Sequence, residues 1–134
     1  MSVQTLMPAT TITTAVTGVA TEPFSFQPHG SATFTAIFDY GSGGTTAKAW
    51  VQTSLDGTTW TDVANFAFTT ADATRIHKIT EDATVAANYT PTDGTLADNT
   101  IKDGLLGDRY RVKYTTTGTY AGATTLTILM HTQG

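Results

Sequence analysis

SATFTAIFDY, residues 31–40, sets Phe34, Ala36, Phe38 and Tyr40 on one side of an extended chain and Thr33, Thr35 and Asp39 on the other. A period of two marks a half-buried strand, so the aromatic side faces a core. The next run continues the pattern: Ala47, Ala49, Val51, Thr53 and Leu55 alternate with Lys48, Trp50, Gln52 and Ser54. Asp56-Gly57 then supplies a turn signal and WTDVANFAF, residues 60–68, returns. Together they predict a β-hairpin. GSGG, residues 41–44, reads as a flexible connection into it.

Further along, Tyr110, Val112 and Tyr114 oppose Arg111 and Lys113, Gly118 and Gly122 mark a loop, and Leu126, Ile128 and Met130 alternate with Thr125, Thr127 and His131. The middle is less regular. Residues 75–80 suit a short strand, whereas residues 81–99 are polar, contain Pro91 and read as a long connection, punctuated by the turn formers Asp93-Gly94 and Asp103-Gly104. Short strands separated by turn signals, without helical periodicity, predict an all-β antiparallel sandwich of jelly-roll or immunoglobulin-like type.

Residues 1–20 carry no acidic or basic side chain, alternate Thr with Val, Ile or Leu, and are interrupted by Pro8. They read as an extended arm or an edge strand. Residues 21–134 form a single sandwich domain. As an arm, the segment would add a strand to a partner, with Val3, Leu6, Ile12 and Val16 filling pockets on it. Removing residues 1–20 is then expected to leave a folded domain that no longer binds. The segment has neither the basic start and apolar run of a secretory signal nor the length of a membrane span, so synthesis in the cytoplasm is expected.

Composition narrows the function classes. Only 13% of the 134 residues are charged and threonine is the commonest residue, a bias toward pleated structure and a surface able to associate. The net charge of -4 gives no footprint for direct nucleic-acid binding. Cysteine is absent, which removes disulfides and thiolate chemistry.

The catalytic and metal motifs are missing as well. His29, His77 and His131 lie far apart and form no H-x-H or H-E-x-x-H pair. Ser42 sits in the Gly-rich loop rather than in a G-x-S-x-G elbow, and GSGG lacks the Lys-Ser/Thr of a phosphate cradle. Glu81, Asp82, Asp93, Asp98, Asp103 and Asp108 do not have EF-hand spacing and suit turns. Neither an enzyme nor a cofactor is expected. Trp50 stands out, because it falls beside Lys48 and Gln52 on the polar side of its strand. Either that side is covered, or the indole belongs to a contact surface. A carbohydrate-binding module would use it with Trp60, Tyr89 and Tyr120. Asn88-Tyr89-Thr90 matches a glycosylation sequon by chance in so Thr-rich a chain.

GGTTAKAWVQTSLDGTTWTDVA, residues 43–64, and GDRYRVKY, residues 107–114, followed by Gly118-Thr119-Tyr120 and a final Thr-Leu-Thr strand, resemble segments of small virion proteins of tailed bacteriophages and prophages. The resemblance implies a virion structural protein, and the size suggests a head decoration or cement protein. Such a protein binds the major capsid protein on the outer head surface, often as a homotrimer, and many symmetric copies add modest contacts into resistance to internal pressure. A tail or baseplate accessory subunit is the alternative within the same class.

Overall fold

The computed structural model describes residues 2–25, 30–80 and 90–133. The strands among them are β1 (Ser2–Thr11), β2 (Val16–Ala20), β3 (Phe24–Ser25), β4 (Ser31–Asp39), β5 (Ser42–Gly43), β6 (Thr46–Ser54), β7 (Thr61–Phe68), β8 (Ala73–Thr80), β9 (Arg109–Thr117), β10 (Tyr120–Ala121) and β11 (Thr125–Gln133). They form two main antiparallel sheets, A in the order β1-β11-β4-β8 and B in the order β2-β9-β6-β7, with β3 added to β9 and a small β5–β10 ladder. Numbering the eight principal strands along the chain gives 1-8-3-6 and 2-7-4-5. Those orders are the two Greek keys of a jelly roll, which decides between the two sandwich topologies expected.

The alternation in residues 31–40 is realised. Ala32, Phe34, Ala36 and Phe38 on β4 and Leu126, Ile128 and Met130 on β11 form the inner face of sheet A, against Ala49, Val51, Phe66, Tyr110 and Val112 of sheet B. Phe38 stacks on Phe68 with ring centroids 4.9 Å apart and meets Tyr120 edge-on at 5.7 Å. Each buried Phe contributes roughly 2–3 kcal/mol, so these rings dominate the attraction between the sheets.

Three local expectations change. Of the arm and the edge strand expected for residues 1–20, the structure shows edge strands and no arm, because β1 pairs with β11 and β2 with β9. Leu6, Met7 and Ile12 are buried in the core, an apolar gain that an arm would forfeit. Pro8 is accommodated because β1 ends its sheet and is irregular there, with register shifts between Thr5 and Met7 and between Met7 and Thr10. GSGG is ordered rather than flexible: Ser42 and Gly43 pair with β10, and Gly44, at φ 72°, leaves no room for a Cβ against the Tyr120 ring. Leu55, placed on the core side by alternation, lies beyond the end of β6 and is 68% exposed.

Candidate functional site

The outward residues of sheet B lie in cross-strand rows: Arg111–Gln52–Asp62, Lys113–Trp50–Asn65 and Thr115–Lys48–Ala67. Such rows normally meet water. Here the connection between β8 and β9 folds back on them. Asp62 and Asn65 donate their backbone N–H groups to the carbonyls of Thr92 and Thr100, Lys102 donates to Val63, and Ala64 bridges to Ile101. Residues 92–102 thereby close the free edge of β7 and reach over the face.

Asp62 anchors this cover. Its carboxylate is fully buried and accepts the backbone N–H groups of Gly94, Thr95 and Leu96 at 2.9 to 3.1 Å, together with Gln52 Nε2 at 2.9 Å. Convergent N–H dipoles replace the water that a buried carboxylate loses. Gln52, also fully buried, passes the network outward: Nε2 donates to Asp93 Oδ1 at 2.7 Å and Oε1 accepts from Arg111 Nε at 2.8 Å. Lys113 Nζ lies 2.9 Å from the same Asp93 oxygen. The bond from Gln52, then that from Lys113, lowers the Asp93 pKa.

Trp50 finds its partner inside the chain. It is 7% exposed and donates Nε1–H to the carbonyl of Leu96 at 2.9 Å. Its polar-side position therefore reflects a face covered by the protein's own connection. Trp60 is 8% exposed with the Arg111 guanidinium 4.4 Å from its ring centroid, and Tyr120 is buried with its hydroxyl bonded to the Thr69 carbonyl. Neither indole offers a sugar an open face. Tyr89, Asn88, Glu81, Asp82 and His29 lie outside the described residues.

The polar residues considered for chemistry are placed apart. His77 contacts the Asn65 carbonyl at 2.9 Å and packs on Phe66, while His131 lies outward on β11. Among the described residues, no group of three His, Asp or Glu could hold a metal ion. A cleft of about 280 Å³ is lined by Thr53, Leu55, Asp56, Thr61, Pro91 and Leu105. Its one carboxylate, Asp56, accepts the N–H groups of Thr58 and Thr59 at 2.8 and 2.7 Å, which hold its pKa down to about 2. That is a turn-closing role.

Among the described residues, two surfaces stand out as exposed. The first is the rim made by β1 and β2, which end sheets A and B and whose segment carries no charge. Of the residues expected to contact a partner, Val3 is 63% exposed and Val16 half-buried there, whereas Leu6 and Ile12 point into the core. The second is the outer face of sheet A. Its rows are Val3–His131–Thr33–Lys78, Thr5–Leu129–Thr35–Ile76, Thr127–Ile37–Thr74 and Thr125–Asp39. Ile76 is 64% exposed.

No family model, no curated protein and no solved structure matches this chain. The Gln52–Asp62–Asp93 network escapes sequence reasoning. Its one visible sign is Gln52 and Asp62 on the two arms of the predicted hairpin, beside a Trp on the polar side.

Proposed function

We propose that this protein is a structural subunit of a bacteriophage virion, a non-enzymatic decoration protein that binds the major capsid protein on the outer head surface and stabilises the shell. The observation that carries the reading is the uncharged rim: residues 2–20 contribute one edge strand to each sheet without one ionisable side chain. An open edge with exposed Val3 and Val19 suits short strand addition and apolar contact with a protein lattice. The bacteriophage assignment comes from the resemblance of residues 43–64 and 107–114, which fall on β5–β7 and on β9 with the turn before it. Strand addition by an arm gives way to docking by a preformed rim, which spares the entropy of ordering a tail.

The test is mass spectrometry and negative-stain imaging of particles produced with and without the protein, followed by co-sedimentation of Val3→Asp and Val19→Asp variants with empty heads. The expected result is a fixed copy number on heads and loss of co-sedimentation in folded variants. Protein found only on tails, on baseplates or on no particle overturns the head assignment. Undiminished binding by both variants overturns the rim as the docking surface.

A further inference from the structure

We propose that the outer face of sheet A is an interface between two copies of this chain, related by a two-fold axis that runs across the strands between the Thr35 and Ile37 rows. The two sheets are finished differently. Sheet B is sealed by residues 92–102, while on sheet A the apolar side chains of Ile37 and Ile76, diagonal neighbours on β4 and β8, stay exposed beside threonines. Exposed Ile side chains side by side on one sheet face mark a surface of association.

The size is adequate. Four strands about 4.8 Å apart, with central strands of nine residues, span roughly 19 by 30 Å, and the side chains of such a face expose area on the order of the ~800 Å² per partner of a standard interface.

Charge selects the occupant. The face is apolar and hydroxylic in the middle and carries its charge at opposite ends, with Lys78 in the Thr33 row and Asp39 at the other end of β4, beside Asp72. The two-fold lays the Thr33 row of one copy on the Asp39 row of the other, and the Thr35 row, with Ile76 and Leu129, on the Ile37 row. Lys78 then lies over the β8 end at Asp72 and one strand across from Asp39, once on each side of the axis. The parallel arrangement would lay each row on its own copy and bring no Lys near an Asp. A surface complementary to itself under a two-fold closes at two copies, so a pair replaces the trimer expected from the resemblance.

This pairing does not depend on the virion reading, because it is tested on purified protein. Sedimentation equilibrium and light scattering should give twice the 14.1 kDa chain mass. Asp39→Lys and Lys78→Asp should each weaken pairing at least tenfold, since each brings like charges near each other. Mixed in equal amounts, the two variants should pair with near-native affinity, because the heterodimer contains one reversed and one native Asp–Lys pair. Ile37→Glu should abolish pairing, whereas Leu55→Glu, on the distant β6–β7 turn, should not. Folding of each variant is checked by its β-sheet circular dichroism. A monomer persisting to several hundred micromolar, a trimer, full pairing by the single charge variants, or no recovery on mixing would each overturn the proposal.

Discussion

The backbone N–H of Gly94 points at both oxygens of the Asp62 carboxylate, 2.9 Å from each. Thr95 and Leu96 donate to the second oxygen, so three consecutive amides converge on one buried side chain. A charged acceptor is used because three donors and Gln52 need more acceptor capacity than a neutral amide offers.

Replacing that acceptor should release the cover over sheet B. Asp62→Ala leaves three backbone donors and one Gln52 donor bond unsatisfied, at about 1–3 kcal/mol for each buried group, with water recovering part of the loss. The expected destabilisation is about 3–5 kcal/mol in urea unfolding, with faster amide exchange at residues 94–96 and red-shifted tryptophan fluorescence as Trp50 meets water. Asp62→Asn should cost less, because it keeps one carbonyl acceptor. A loss below about 1 kcal/mol for the alanine variant would show that the cover is held by other contacts.

Truncation separates an edge strand from an arm. Removing residues 1–20 deletes β1 and β2 and uncovers the core around Leu6, Met7 and Ile12, so the shortened chain should be insoluble or unfolded. As a milder probe, Met7→Ala should cost about 2–5 kcal/mol, the usual range for emptying a buried site of that size. A cooperative, native-like melt of the truncated chain would restore the arm.

The strands of residues 31–40, 46–68 and 110–130 are legible in the sequence because each has one side on the core, and burial imposes a period of two. The jelly-roll order is not legible, since local alternation does not say which strand lies beside which. Trp50 is a partial signal: its position shows that something covers the polar side of β6, and the cover comes from Leu96, 46 residues away. Asp62 has no periodic signature, because its partners are backbone amides, which every residue supplies. Leu6 and Ile12 look like partner contacts for a related reason: an uncharged edge strand and an uncharged arm share one composition, and only the pairing of β1 with β11 tells them apart.

Acid should weaken the fold in a defined window. Hydrogen bonds from Gln52 and then Lys113 lower the Asp93 pKa, and the Thr59 and Thr58 amides lower that of Asp56 from 3.8 to about 2. Acids with depressed folded pKa values contribute stability that is present above their unfolded value and lost as pH falls through the folded one. Stability should therefore drop between about pH 4 and pH 2. In Asp56→Asn and Asp93→Asn the drop should be shallower, as measured by urea midpoints across that range. Slopes identical to the wild type would show that neither carboxylate is linked to folding.

Tyr110 offers the opposite case, a polar group whose removal should be harmless. The ring is buried in the core beside Phe34, with centroids 6.4 Å apart, and its hydroxyl has no hydrogen-bond partner among the described residues. Burial raises the phenol pKa, so the group stays neutral. A buried hydroxyl without a partner loses its water and gains nothing in return, whereas the aromatic ring supplies the packing. Tyr110→Phe keeps the ring and deletes the desolvated oxygen. The variant should match the wild type or exceed it by up to about 1 kcal/mol in chemical denaturation. Tyr110→Ala should lose about 3–5 kcal/mol through the cavity it opens. A loss above 1 kcal/mol for the phenylalanine variant would mean that the hydroxyl has a hydrogen-bond partner, and the nearby Thr53 hydroxyl and Gly107 N–H would be the first groups to test.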